Sequence, residues 1–271
     1  MRRAAIVILI CVAVACRREP RRASAPAADP PSSLPAAAAQ EDPPVVCQNE
    51  WERVADGIEY RTLNCTPQRF DLHLVRVDPR RAHIDAIVRG GSTAAEIAKK
   101  ESWTFAVNAN FFDEQYRPLG VVMSGGHEIN PPHPVSWQAV FYVTSDGRAR
   151  IAPVLRWRDL RAGARTAVQA GPRIVVAAGK NRVAKATPHW RAGVCIDNAA
   201  RAVFFATPPA TRFDVGEMVE LAARSESSGG LGCREAMLFD GGPSTQLYLQ
   251  RPGGAVEVEG DRHVPAYLIV K

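Results

Sequence analysis

No uninterrupted apolar stretch in the 271 residues approaches the roughly 20 needed to cross a bilayer, so a multi-span membrane protein is excluded. Aromatic residues are sparse at 7%, yet 46% of the chain is hydrophobic and 23% charged, which is ordinary globular composition and rules out a wholly disordered chain. The sequence has no internal repeat, no H-E-x-x-H, no zinc-like cysteine spacing and no Gly-x-Ser-x-Gly. It also lacks a basic stripe. Of the net charge of +6, +2 belongs to residues 1–46, where six Arg face Glu19, Asp29, Glu41 and Asp42. The +4 that remains is carried by scattered Arg residues. A nucleic-acid surface is therefore unsupported, and single Arg residues that bind local anions are the better expectation.

What is present begins with a basic Met1-Arg2-Arg3 and a short apolar run from Ala4 to Val14, the pattern of an export signal over residues 1–15. Its end, Ala13-Val14-Ala15-Cys16, resembles a bacterial lipoprotein signal in which Cys16 is lipidated and becomes the first mature residue. Ordinary cleavage after Ala15 is the alternative, because Ala13 stands where Leu is usual. Residues 16–46, rich in Ala, Pro and Arg, cannot bury enough apolar surface to offset ordering and read as a tether, leaving a domain over 47–271. The expected setting is the periplasm or cell envelope, with a lipid anchor as the membrane contact. Four cysteines fall in the domain, and an even number in an exported chain suggests two disulfides with three possible connectivities. Proximity favours Cys47–Cys65 and elimination leaves Cys195–Cys233. The alternative for the second pair is two buried thiols.

Strand signals dominate the domain. Residues 70–77 and 82–88 alternate or run apolar around Asp78-Pro79, and two hairpins are signalled, 138–144 with 148–153 around Ser145-Asp146-Gly147, and 193–197 with 202–207 around Asn198-Ala199-Ala200. Further strands are expected at 104–108, 119–123, 167–176, 235–239, 245–249 and 265–270. Helices are few. Thr93-Ala94-Ala95-Glu96 and Asp214-Val215-Gly216-Glu217 each combine a capping residue with an acid three positions on, and predict helices to about residue 101 and up to Gly229-Gly230. The expected class is α+β, a largely antiparallel or mixed sheet core with a few flanking helices, in a single domain.

Four segments concentrate polar and glycine residues at strand ends. They are Asn108-Ala109-Asn110-Phe111-Phe112-Asp113, Gln169-Ala170-Gly171-Pro172-Arg173, His189-Trp190-Arg191-Ala192-Gly193-Val194 and Phe239-Asp240-Gly241-Gly242-Pro243-Ser244. Each alone has a structural reading at least as good. Asp-Gly-Gly-Pro makes a tight turn, an Arg entering a strand is usually solvated, and paired Phe is usually core. The six His show no ligand spacing and default to structural or exposed positions.

In order, with Pro118-Leu119-Gly120 between the first and second, these segments form a series that resembles the phosphodiester glycosidase family. The similarity runs from about Phe70 to the C-terminus. Ala109-Asn110 depart from the small residues, Gly among them, usual there. The resemblance implies hydrolysis of a sugar C1–O–phosphate diester on an envelope or extracellular glycan or glycoconjugate, with no cofactor and no nucleic acid. A phosphate leaving group is stable as an anion, so a cation matters more than a strong acid. Arg191 is the expected phosphate fork, Asp240 the carboxylate acting as base or nucleophile, and Asn110 the third catalytic candidate. Asn108, Asp113, Gly171, Arg173, Gly241, Gly242 and Ser244 are expected to bind substrate. Within that set the Gly241 and Gly242 amides would form an anion nest, and Asp113 is the reserve second carboxylate. Asp240 and Asn110 could alternatively ligate Ca²⁺.

Competing functions are a tethered module that binds phosphorylated polysaccharide without cleaving it, an accessory protein of exopolysaccharide synthesis, and a serine hydrolase using Ser244 or Ser124.

Overall fold

Strands buried on both faces through most of their length build three sheets whose apolar faces share one interior. The computed structural model describes residues 46–48, 50–66, 71–184 and 186–271. The export signal, Cys16 and nearly all of the tether lie outside these residues. Residues 43–271 form a compact unit.

A nine-stranded sheet runs in the order Val46–Gln48, Ile58–Thr66, Asp71–Val77, Ala202–Ala206, Ala192–Ile196, Glu235–Leu238, Arg173–Val176, Gly179–Lys180, with Glu52–Ala55 beside Ile58–Thr66. A five-stranded sheet orders Ala149–Pro153, Ala139–Thr144, Ala164–Ala170, Val122–Ser124, His127–Asn130. The third, also five-stranded, orders Val256–Val258, Leu247–Leu249, Phe105–Asn108, Ala266–Val270, Ile84–Val88. Every ladder between described strands is antiparallel. The class is thus β-dominated, with α+β a loose description and no parallel pairing to make the sheets mixed.

Phe105, Phe141 and Phe204, one from each sheet, are fully buried in the shared core, and their rings touch with centroids 5.1 and 5.7 Å apart. The outer faces are closed separately. The helix Val215–Ala223 lays Met218 and Leu221 over Leu74, Ile174 and Phe205 of the large sheet. The helix Ala94–Glu101 covers Ala106, Tyr267 and Ile269, and Trp157 of the short helix Trp157–Leu160 covers Val140 and Tyr142. Both longer helices start where the sequence predicts, with complete capping boxes at Thr93/Glu96 and Asp214/Glu217. Both signalled hairpins form, and in the second Asp197 fixes the turn by accepting from the Ala199 and Arg201 amides, each at 2.9 Å.

One expected strand is two. Residues 167–176 divide at Gly171-Pro172, and the halves, Ala164–Ala170 and Arg173–Val176, join different sheets. Pro172 has no N–H to donate to a ladder, while its carbonyl accepts from Leu238 N at 3.0 Å, so the chain crosses between sheets there. Cys47 and Cys65 sit directly opposite in the first ladder and are disulfide-bonded. Cys195 and Cys233 are bonded beneath the Val215–Ala223 helix.

Candidate active site

Three chain crossings converge at one end of the nine-stranded sheet. Ala192–Ile196 begins just after Arg191, Glu235–Leu238 ends just before Phe239-Asp240, and Arg173–Val176 begins just after Gly171-Pro172. Because these neighbours run antiparallel, Arg191, Asp240 and Gly171 all emerge at that end. The third sheet is tied in by Asp240 N donating to Ala109 O at 3.0 Å, just past the strand Phe105–Asn108.

Asp240 keeps part of its surface in contact with solvent, but protein crowds most of its surroundings. Burial pushes its carboxyl up to about 6 from an ordinary 3.8, against the opposing pull of the Ser244 hydroxyl, the Arg262 charge and the Gly241 amide. Gly241 and Gly242 are required here. A Cβ on Gly241 would lie 3.1 Å from Trp190 O and 3.7 Å from Arg191 Nη1, and Gly242 has φ +60° with the His189 ring 3.2–3.3 Å from its would-be Cβ. Asp240, Arg191 and His189 therefore flank one glycine turn.

Arg191 is half-buried and held from several sides. Its Nε donates to Phe213 O and its Nη2 to Thr187 O, both at 2.9 Å, while its amide donates to Thr207 Oγ1 at 2.8 Å. Burial lowers its pKa and Asp214 partly offsets this, but a guanidinium so perturbed stays charged. Nη1 remains, beside Gly241, without a partner among the described residues. His189 Nδ1 accepts from the Trp190 amide at 3.0 Å, which leaves Nε2 as the ring donor.

The remaining sequence candidates divide. Asn108 is fully buried and staples two crossings, its Nδ2 donating to Asp240 O at 2.7 Å and its Oδ1 accepting from Gln246 N at 3.0 Å. Asn110 donates to Val121 O at 2.9 Å, while its buried Oδ1 has no partner. Ser244 is buried against Asp240. The expected anion nest is already filled, since Gly242 N donates to Trp190 O at 3.0 Å and Gly241 N to the Asp240 carboxyl.

Asp113 and Arg173 stand apart. Asp113 accepts from the amides of Gln115 and Arg117 and from Arg117 Nε, and the Arg117 amide leads in holding its carboxyl below the usual range. Its oxygens build their own exposed loop. Arg173 is ion-paired with Glu235 at 2.6 Å. Gly171 gives up a side chain so that Trp137 and Gln138 can pack close, a Cβ there lying 3.1 Å from Gln138 Cα. The Gln169 and Gly120 of the motif series are architectural. A Cβ on Gly120 would lie 2.4 Å from Gln169, whose amide accepts from Val121 N at 3.1 Å and His133 N at 3.0 Å.

Two residues were missed. His189 defaulted to a structural role, although its place two positions before Arg191 was a signal. Arg262 had none, since tertiary contacts alone bring its loop to the Asp240 turn: Gly260 packs on Pro243, Thr245 and Gln246, Asp261 N donates to Pro243 O at 2.8 Å and Gln246 Nε2 donates to Arg262 O at 2.6 Å. Arg262 and His263 border a cavity of about 590 Å³ with Thr93 and Tyr116. No group of three or more His, Cys, Asp or Glu among the described residues is arranged to hold a metal.

A family model described as phosphodiester glycosidase matches residues 102–271. The chain belongs to that family. The match takes in every segment of the motif series in this phosphodiester glycosidase family member, and starts later than the Phe70 suggested by the sequence resemblance. Among solved structures, the catalytic domain of zebrafish N-acetylglucosamine-1-phosphodiester alpha-N-acetylglucosaminidase, auto-inhibited by its pro-peptide, is 14% identical with a TM-score of 0.56, covering 84% of this chain and 88% of that one. A hypothetical protein from Synechocystis is also 14% identical with a TM-score of 0.56, covering 85% of this chain. The chain spans 64% of that protein's length. At such identity the likeness is one of fold. A search of curated proteins finds no sequence match.

Proposed function

We propose that this chain hydrolyses a glycosyl phosphodiester, splitting the bond between sugar C1 and the phosphate oxygen. The carrying observation is one glycine turn that opens on a mostly buried carboxyl pushed up to about 6 and has the Nη1 edge of the fixed Arg191 guanidinium packed against Gly241. Arg191 Nη1 receives a phosphate oxygen and stabilises the charge that grows as the C1–O bond breaks. Asp240 acts ionised, taking a proton from the water that adds to C1 or itself bonding to C1 before water displaces it. The bonding pair leaves with the phosphate, so free sugar and a phosphate monoester result. Ser244 and Gly241 N–H orient the carboxylate, and His189 Nε2 is a donor for a second phosphate oxygen.

The zebrafish enzyme's name makes an α-N-acetylglucosamine-1-phosphodiester the natural first probe. Purified 47–271 domain is expected to release sugar, with kcat/KM rising through about pH 6 to a plateau, because the ionised carboxylate is the working form. Asp240→Asn should lower the rate at least about 100-fold, the lower end of general acid–base contributions, and Arg191→Ala should lower it comparably. Full activity in both variants removes these residues from the mechanism. Tight binding of the diester with no turnover favours a glycan-binding module instead.

We further propose export through the 1–15 signal and tethering to an envelope membrane through lipid on Cys16 and the 16–46 linker. Two disulfides fit an oxidising compartment. Intact mass of the mature protein, with and without Cys16→Ser, tests the anchor. A mature chain carrying no lipid sinks it.

A further inference from the structure

A second cavity, of about 620 Å³, opens at the Gly171-Pro172 crossing and is lined by Trp137, Pro172, Val176, Val183, Ala184 and Val215, with Arg173 and Arg182 at polar positions. We infer that it receives the apolar chain of the alcohol esterified to the substrate phosphate, so that the substrate is a sugar-1-phosphate diester of a lipid. This rests on the phosphodiester glycosidase reading above and names its substrate class.

Arg191 joins cavity and site. Its Nε and Nη2 hold the carbonyls of Phe213 and Thr187, which adjoin the two stretches of wall at Val215 and at 181–184 with Ala186, while Nη1 lies at the catalytic glycine turn. A phosphate on that edge has C1 of its sugar toward Asp240 and its other ester oxygen toward the cavity. A second wall is shared, since Phe111, next to Asn110, meets the Trp137 ring edge-on at 5.8 Å and Gly171 lets Trp137 and Gln138 approach the crossing. Trp137 is 52% exposed and Val176 36%, apolar surface left open at the cavity. The walls are mainly aliphatic or aromatic, and of the polar side chains at the cavity Arg173 is taken by Glu235, Asn181 Nδ2 by Arg173 O and Gln138 Oε1 by Gln169, with Ser136 and Arg182 the remainder. A polar second sugar would find few free partners for its hydroxyls there, whereas each methylene of an alkyl chain is stabilised by leaving water. Arg182 at the cavity and Arg191 at the turn suit a ligand that is anionic at one end and apolar at the other.

The test uses decyl phosphate and methyl phosphate below their aggregation concentrations, titrated calorimetrically into wild-type domain and into Ala184→Trp and Val183→Asp, which fill or charge the cavity. Decyl phosphate is expected to bind at least tenfold tighter than methyl phosphate, and one or both variants to abolish that preference while binding methyl phosphate unchanged. Equal affinities, or a decyl preference untouched in both folded variants, overturn the inference. Hydrolysis separates it from the reading beneath. Decyl glycosyl phosphodiester should be cleaved at least tenfold faster, in kcat/KM, than the methyl ester or a sugar-phosphate-sugar. Cleavage of all three at equal rates, or preference for the second sugar, overturns the lipid assignment and leaves the reaction standing. No cleavage of any, with the variant-sensitive decyl preference intact, retains the cavity's ligand and overturns the reaction.

Discussion

Asp240 is held where its charge is expensive, and that cost has a measurable sign. In the unfolded chain the carboxyl titrates near its ordinary 3.8, and in the folded chain near 6. Between these values the unfolded chain releases its proton while the folded chain keeps it. Stability therefore falls as pH rises across that window, and the penalty is complete above about pH 6. Two pH units correspond to about 3 kcal/mol, and the solvent that still reaches the carboxyl reduces this to about 1–2 kcal/mol. Asp240→Asn should accordingly raise stability by about 1–2 kcal/mol at about pH 7.5 while abolishing turnover, with the gain shrinking toward zero near pH 4. Urea unfolding at both pH values measures it, and equal effects at the two would mean that Asp240 is not strained by burial. The legible part of the candidate site was the contiguous run Asp240-Gly241-Gly242-Pro243-Ser244, because a turn is local. Asp113 misled because its competing partner, Arg117, sits only four residues on and claims both oxygens.

Helix starts were the elements most legible in the sequence, since a capping box is written in four consecutive residues and both boxes close as read. Sheet membership was not legible. Asn108 finds Gln246 at a separation of 138 residues, and nothing near either position specifies that pairing. The break at Pro172 was visible as a missing donor, but that the two halves enter different sheets follows from distant partners, Ala139–Thr144 and Val122–Ser124 for the first and Glu235–Leu238 for the second. The 214–223 helix shows how a local element serves the site. Its cap Asp214 accepts from Glu217 N at 2.8 Å, and the residue before it, Phe213, carries the carbonyl that holds Arg191 Nε. Asp214→Ala should cost about 1 kcal/mol of stability, the usual value of an N-cap, and Asp214→Asn should recover most of it because the amide oxygen still accepts. Thermal unfolding of the two variants checks this. Equal losses in both would point to the Asp214 charge near Arg191 rather than to the cap.

At the scale of the whole molecule, the disulfides and the site occupy different parts of the same frame. Cys195 lies on the strand that begins after Arg191, and Cys233 precedes the strand that ends before Asp240. These strands are neighbours, paired from Gly193↔Leu238 at the site end to Ile196↔Glu235 at the disulfide end. The register that brings Arg191 and Asp240 out at the same end of the sheet is thus fixed by ladder hydrogen bonds and by the close fit at Gly193, where a Cβ would lie 2.4 Å from Met237 O. The bond between Cys195 and Cys233, 38 residues apart in sequence, chiefly restricts the unfolded chain and contributes about 4 kcal/mol on the loop-entropy model. Cys195→Ala with Cys233→Ala should then lower the unfolding free energy by roughly that amount and leave kcat/KM within about twofold below the new melting temperature. Cys47→Ala with Cys65→Ala, closing 18 residues, should cost about 3 kcal/mol and likewise spare turnover. A large fall in kcat/KM of the still-folded Cys195/Cys233 variant would mean that the sheet needs the covalent clasp to hold its site end in register.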